Sequence, residues 1–581
     1  MSVYAPYLRE ITGPGGRFEL TEVEIGGIKQ LGFLTQPEHL SFLIEIGKDH
    51  GDREFLVQGE TRYTYAQAMD RALLLAKGLA DRFGLKPGDR IAVLGSNAPD
   101  WVVSFWAITA LDGVAVPFNA WWRAEELAFG IADSDTKLLL CDARRARVAL
   151  EAGLAPGRIV VWGEGDVPDG ALHIQEVLAS EPLALGPLRD QDEPAGLFYT
   201  SGTTGRPKGS ANSHRNIIAN LMNAAAVFGA VAKANKAAAR DQKRNEISTK
   251  RSDRKPQDID LTVVPMFHAT ALLSTMIPYV YAGHKLVFMP PGRFDPQEAG
   301  RVIEQEQVTR FGGVPTIVAR IIDEEAYVGR DFSSVRAISY GGAPCSPALL
   351  RRIERVFPGL QGRVIQGYGL TETSPLLTLN VGDDYHNHPN SVGVAVPTTE
   401  LKIADSDGQA LPVGATGEIW AKGSNIISGY WNRPEVNSEA FVDGFFRTGD
   451  VGYVDGAGFL YITDRAKDVV IRGGENVYCV EVENVLGTHP KVVEVAVIGV
   501  PHDELGEEVK AVVVVETEHD VTADELSAHA SEHLAQYKVP SQWEFRTELL
   551  PRNPSGKVMK PTLRHGHSAV FAVGDDSDSA L

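Results

Sequence analysis

The chain of 581 residues is longer than one hydrophobic core organises, so two or more domains are expected. Hydrophobic residues make up 43% and charged residues 23%, an ordinary composition for a soluble globular protein. A formal net charge of −20 argues against a dedicated nucleic-acid binder, which carries a basic footprint.

No apolar run reaches the ~18 residues of a membrane-spanning helix, so no transmembrane segment is expected. The N-terminus lacks the basic stretch and apolar core of a secretion signal. Cys141, Cys345 and Cys479 stand apart without metal or redox spacing, which fits a reducing, cytoplasmic location.

Along the chain, Thr64 and Gln67 form a capping box ahead of Met69, Leu73, Ala76, Leu79 and Phe83 at helical spacing. Gly84 is placed to stop that helix, and 86–89 reads as a turn. A strand at 91–94, a helix from about Asp100 and a strand at 114–116 follow, and strands at 138–141 and 159–162 repeat the pattern. The rhythm resumes with candidate strands at 261–265, 285–289, 335–340 and 363–366. Such alternation implies an α/β fold with parallel-rich sheets flanked by helices, and ligands in it tend to sit at the carboxyl ends of strands. Residues 231–258 are rich in Lys and Arg and read as a solvated or disordered surface insertion rather than an electrostatic patch. Near 464–467 the character changes. Strands at 494–500 and 510–515 and a helix near Thr522 make a small C-terminal α+β domain. The expected division is a large domain over 1–464, a small one over 465–567 and an acidic tail over 568–581.

The strongest motif is YTSGTTGRPKG at 199–209, after an apolar run at 195–198 and before a helical stretch from about His214. Strand, Gly/Ser/Thr loop, then helix is a geometry for cradling phosphates. Gly202 and Gly205 let backbone amides approach, while Thr200, Ser201, Thr203, Thr204 and Lys208 complete the shell. Pro207 stands where a Walker loop needs glycine before its lysine, so this is a different phosphate loop.

This segment resembles the phosphate-loop signature of the adenylate-forming superfamily, which includes acyl-CoA synthetases, adenylation domains of peptide synthetases and beetle luciferases. Further segments are similar to the family pattern in the same order: Pro265-Met-Phe-His268, Gly341-Gly-Ala-Pro344, Gln366-Gly-Tyr-Gly-Leu-Thr-Glu-Thr373, Phe446-Arg-Thr-Gly-Asp450, Asp464-Arg-Ala-Lys-Asp468, Gly473-Gly-Glu-Asn-Val477 and Asn553-Pro-Ser-Gly-Lys557. The resemblance implies a ligase that activates a carboxylic acid as its acyl-adenylate, with release of pyrophosphate, and passes the acyl group to CoA. Under it the small domain turns on a hinge at Lys467 between the two steps.

The same resemblance implies the site. Gly342, Ala343 and Pro344 pack on adenine, and Gly367, Tyr368, Gly369, Leu370 and Thr371 lie along the nucleotide. Glu372, with the hydroxyl of Thr200, holds Mg2+, a cation that takes carboxylate and phosphate oxygens. Asp450, acceptor-only when ionised, takes the ribose hydroxyls beside Arg465. Lys557 bridges the attacking carboxylate and the α-phosphate, two anions that must be brought together. His268 and Gly341 border the acyl pocket, and Gly473, Gly474 and Glu475 line the CoA channel. Cys479 departs from the proline common in relatives, with an expected effect on loop stiffness alone. The lysine-rich insertion has no counterpart in the pattern.

Small residues at Ala269, Ala271, Gly312, Gly313 and Gly341 leave room for a medium- or long-chain fatty acid or a bulky hydrophobic acid. An aryl acid of hydroxycinnamate type is the alternative, and a stand-alone enzyme loading a carrier protein is another. A non-catalytic AMP- or acyl-binding protein would fit a chain lacking Lys557 or Glu372, and both are present. A homodimer is the default expectation.

Overall fold

The computed structural model describes residues 1–186, 188–200, 207–242, 257–292, 294–313, 315–322, 327, 329–341, 347–357, 360, 364–465, 468–473, 475–502, 505–517, 521–552 and 558–564. The helix after Thr64 runs Tyr65–Phe83. Both capping-box bonds form, Gln67 N–H to Thr64 Oγ1 at 3.3 Å and Thr64 N–H to Gln67 Oε1 at 2.9 Å. Its partner Pro99–Ala110 is apolar on nearly every side and is buried against strands of both large sheets. Phe55, Tyr65, Trp101 and Trp106 are among the largest fully buried side chains of the core these elements share.

The first large sheet has seven strands in the order Lys208–Ser213, Pro194–Thr200, Val114–Pro117, Arg90–Leu94, Leu138–Asp142, Ile159–Trp162 and Leu172–His173. All neighbours are parallel except the first pair. The second sheet has nine strands, with a parallel centre of Val364–Tyr368, Ala337–Gly341, Arg310–Gly313, Ile259–Leu261, Lys285–Val287 and Glu54–Gln58. Antiparallel strands close its edges. A five-stranded antiparallel sheet follows and ends with Leu460–Arg465. Another five-stranded sheet, beginning at Val470–Arg472, is built on its own core of Val477, Val482, Val497, Val509 and Val513. The fold is thus α/β, with a large N-terminal domain and a smaller C-terminal one.

Three expectations need revision. The motif at 199–209 does not run from strand directly into helix, because Lys208–Ser213 is itself a strand and makes a hairpin with Pro194–Thr200. That strand is polar, and its side chains are hydrogen-bonded inside the protein: Asn212 donates to Thr371 O at 2.9 Å and to Ser374 Oγ at 2.8 Å. The strand expected at 261–265 stops at Leu261. Asn97 takes over from the ladder there. Its Nδ2 donates to Thr262 O and Val264 O, and its Oδ1 accepts from Met266 N.

The third concerns the helix His214–Gln242, which has a stretch long and apolar enough to cross a membrane, although 56% of its most apolar window is buried in the structure. Buried asparagines tie it to the protein: Asn216 donates to Ser424 O and Ile426 O, each at 2.9 Å, and Asn223 donates to Thr398 Oγ1 at 2.7 Å. It is a core helix. Its continuation to Gln242 makes the start of the 231–258 segment helical, with Lys233 paired to Glu10 of the N-terminal helix Ala5–Thr12. Residues 243–256 and the tail over 568–581 lie outside the described residues.

Candidate active site

The carboxyl end of the strand Val364–Tyr368 is the centre of the site. Tyr368 is buried, and its phenol donates to Asp450 Oδ2 at 2.7 Å. Burial and the neighbouring carboxylate push that phenol well above its ordinary range, so it stays a donor. Asp450 lies on Phe445–Val454, directly across the antiparallel ladder from Arg465 on Leu460–Arg465. Arg465 Nε stands 3.6 Å from Asp450 Oδ1 and is partly exposed, while Asp450 is buried. A carboxylate held by a phenol on one side and flanked by a guanidinium on the other is oriented to accept hydroxyl groups.

Gly367 pairs with Gly341 across the parallel ladder, and the chain then turns through Gly369 and Leu370 into the short helix Thr371–Thr373. A Cβ on Gly369 would fall 1.8 Å from Pro375 O, so only glycine fits this turn. Thr373 Oγ1 accepts from Leu370 N at 2.9 Å and closes the turn. Glu372 is thereby carried into the interior, with 6% of its surface exposed. Tyr430 donates its phenol hydrogen to Glu372 Oε1 at 2.9 Å, and burial with this carboxylate raises the Tyr430 phenol above its ordinary range.

The phosphate-loop hairpin meets this pair. Lys208 Nζ lies 5.5 Å over the Tyr430 ring, Ser210 bridges to Tyr430 through the backbone, and Trp431 N donates to Gly209 O at 2.8 Å. Thr200 ends the first hairpin strand opposite Lys208, its hydroxyl 3.5 Å from Lys208 O. Tyr199 beside it donates to Asp133 Oδ2 at 2.8 Å, and Asp133 is paired with Arg433. The structure therefore joins Lys208, at the hairpin with Thr200, to Glu372 through Tyr430, and Tyr368 to Asp450 and Arg465, with Tyr368 and Glu372 at the two ends of one short segment. Glu372 and Thr200 offer carboxylate and hydroxyl oxygens, the donor set Mg2+ takes, so the residues present fit that ion.

A family profile described as AMP-binding enzyme matches residues 45–431, and one described as AMP-binding enzyme C-terminal domain matches 481–557. The chain belongs to the AMP-binding enzyme family. Among its relatives, a feruloyl-CoA synthase of Amycolatopsis sp is 36% identical over 509 residues, spanning 87% of this chain and 94% of the relative. A long-chain-fatty-acid–CoA ligase of Mycobacterium tuberculosis is 34% identical over 515 residues, spanning 88% and 94%. The crystal structure of ATP-bound MatB from Rhodopseudomonas palustris superposes with a TM-score of 0.76 at 30% identity, covering 90% of this chain and 98% of that one. This AMP-binding enzyme is of acyl-CoA synthetase type.

Other expected residues of the AMP-binding enzyme lie on separate segments. His268 is half-buried and leads into the short helix Ala269–Ala271, which passes into a π-helical turn at Leu272–Met276. Its neighbour Phe267 meets Trp121 edge-on with ring centroids 5.4 Å apart. Gly473 has φ 60° and donates its N–H to Leu505 O at 2.8 Å, while Glu475 is exposed on Glu475–Val477. Ser201, Gly202, Thr203, Thr204, Gly205, Gly342, Ala343, Pro344, Lys467, Gly474 and Lys557 lie outside the described residues.

Sequence reasoning missed Asn97, Asp133 and Tyr430. Tyr430 precedes Trp431-Asn432-Arg433-Pro434, where the only local signal is the proline that opens the helix Pro434–Ala440. Its bond to Glu372 spans 58 positions of sequence, so no periodicity marks it.

Proposed function

We propose that the protein is an ATP-dependent, AMP- and pyrophosphate-forming carboxylic acid–CoA ligase that works through an acyl-adenylate on a medium- or long-chain fatty acid or a bulky hydrophobic acid. The observation that carries this reading is the segment Tyr368 to Glu372, whose two ends lead to separate buried carboxylates. At one end Asp450, set by Tyr368, accepts from the ribose hydroxyls of ATP, with Arg465 alongside. At the other, Glu372 faces the phosphate-loop hairpin and Lys208.

Adenylation joins two anions, so catalysis rests on alignment and on neutralising charge. Bound Mg2+, held by Glu372 with Thr200, would offset phosphate charge as pyrophosphate departs. Lys208 and the loop amides of 201–205 orient the phosphates, and Lys557 carries the attacking carboxylate to the α-phosphorus. The small domain, from 465 to 567, then turns about Lys467, so that the segment Gly473, Gly474 and Glu475 guides the thiol of CoA to the acyl carbonyl. His268 and Gly341 border the acyl pocket, and the aromatic pair Trp121 and Phe267 beside His268 suits an apolar acid. A cytoplasmic location and a homodimer belong to the same proposal.

The feruloyl-CoA synthase relative favours a second reading, an aryl acid of hydroxycinnamate type. Pyrophosphate release with ATP and Mg2+ across aliphatic and aromatic acids, with and without CoA, separates these readings. CoA-stimulated turnover with the matching thioester is the expected result. Pyrophosphate without thioester would replace CoA by a carrier protein as acceptor, and binding of ATP without turnover on any acid would remove the ligase assignment.

A further inference from the structure

Tyr430 stands between Glu372 and the phosphate-loop hairpin. Its hydroxyl donates to Glu372 Oε1 at 2.9 Å, its ring lies beneath Lys208 Nζ at 5.5 Å, and its backbone bridges to Ser210 of the phosphate-loop hairpin. The backbone is itself clamped: Asn437 Oδ1 accepts from Tyr430 N at 2.7 Å, and Asn437 Nδ2 donates to Tyr430 O at 3.0 Å. Just after it, Trp431 N is bonded to Gly209 O, and Arg433 is paired with Asp133, which also holds Tyr199 at the start of the loop. The stretch from Tyr430 to Asn437 is a strap across the hairpin.

Resting on the reading of Glu372 as the Mg2+ ligand, we propose that Tyr430 is a positioning residue that fixes the Glu372 carboxylate relative to the phosphate loop for metal-dependent nucleotide binding. A carboxylate has about four acceptor positions, so the bond from the phenol sets its orientation while occupying one of them. The ring adds a second constraint. Its face holds the Lys208 ammonium near the same edge, so the cation that meets the phosphates and the anion that meets the metal are set by one side chain. Tyr430 touches neither nucleotide nor acid in this account and acts through Glu372.

The test compares Tyr430→Phe, Glu372→Gln and the double variant with the parent protein. Binding of the non-hydrolysable α,β-methylene analogue of ATP is measured by calorimetry across a Mg2+ series, with pyrophosphate release followed in parallel. Tyr430→Phe is expected to raise the half-saturating Mg2+ concentration about tenfold, the loss expected from one hydrogen bond to a charged group. Metal-free analogue affinity and the KM for the acid should stay unchanged. The double variant should show the shift of Glu372→Gln alone, because the phenol works through that carboxylate. Additive shifts, or an unmoved Mg2+ dependence in Tyr430→Phe while Glu372→Gln moves it, would overturn the proposal. No shift in Glu372→Gln would instead remove the metal reading on which it stands. Asn437→Ala, which frees the Tyr430 backbone and keeps its phenol, supplies a second variant: a smaller shift in the same direction supports the strap, and none counts against it.

Discussion

Tyr368 and Asp450 join two sheets through one hydrogen bond of 2.7 Å, from the end of a parallel strand to an antiparallel hairpin. The bond fixes the carboxylate where Arg465 also reaches it. Asp450→Ala should weaken ATP binding by about 1.5–3 kcal/mol, the worth of hydrogen bonds to a charged group. Tyr368→Phe keeps the carboxylate and loses only its anchor, so its effect should be the smaller, about 1 kcal/mol. Calorimetry with ATP and AMP checks both, and an Asp450→Ala protein with parental affinity would refute the ribose assignment.

Gly369 tests the turn that delivers Glu372. An added methyl would collide with Pro375 O, a backbone atom that cannot swing aside. Gly369→Ala should cost about 1–3 kcal/mol of stability, as overpacking does. Because the displaced segment carries Glu372, adenylation should fall by more than the lost stability explains. Urea denaturation and pyrophosphate release on the same preparation separate the two effects, and loss confined to stability would show that the turn does not position the carboxylate.

How much of this was legible follows the range of each signal. The helix Tyr65–Phe83 was readable because its start, apolar face and stop lie within one local stretch. The motif residues Asp450 and Arg465 were readable by resemblance and face each other across one antiparallel ladder. The strand Lys208–Ser213 was not, since its residues are polar and find their partners in Thr371 and Ser374, far along the chain. Asn97 escaped notice for the same reason: a single side chain satisfies the backbone of 262–266 in place of a strand. Long-range bonds from polar side chains to backbone leave no period in a sequence.

A buried cluster near the root of the hairpin should make stability depend on pH. His214, the first residue of the helix His214–Gln242, has its Nε2 3.6 Å from Asp112 Oδ1, while His39 Nε2 is 2.8 Å and Arg189 Nε 3.1 Å from the same oxygen. Burial opposes the Asp112 charge, yet His214, His39 and Arg189 together hold its carboxyl well below the ordinary range. Burial, only partly offset by Asp112, lowers His214 from 6.5 to about 4. Between those values the unfolded chain binds a proton that the folded one does not, so stability falls as pH drops from 6.5 towards 4 and is retained above 6.5. The contribution amounts to about 3 kcal/mol. Urea denaturation at neutral and acid pH should show a smaller drop in His214→Gln than in the parent, and equal drops would contradict the assignment.

Lys557 separates the half-reactions. Lys557→Ala should slow acyl-adenylate formation by about 10²–10³-fold, the scale of losing one electrostatic stabiliser of a transition state. ATP binding should remain mostly intact, and thioester formation from supplied acyl-adenylate should be affected much less. Single-turnover assays of each step decide the matter. Equal loss in both steps would count against the alternating use of the small domain.

Cys479 carries a structural role that its thiol conceals. It is the first residue of the helix Cys479–Leu486, and its backbone N–H donates to Asp464 Oδ2, a buried carboxyl raised above its ordinary range by burial. Proline is sterically welcome at a first helical position but has no N–H to give. Cys479→Pro should therefore cost about 1–3 kcal/mol, the penalty for leaving a buried acceptor short of a donor. Cys479→Ala keeps the N–H, loses the contact of Sγ with Asp468 O at 3.0 Å and some packing in the buried core, and should cost less. Because Asp464 lies on Leu460–Arg465 and Cys479 opens a helix of the core beneath the last sheet, the same bond ties the two antiparallel sheets together. Urea midpoints of the two variants test this directly: the proline variant must be the less stable, and equal midpoints would mean that the Asp464 bond contributes nothing to the fold.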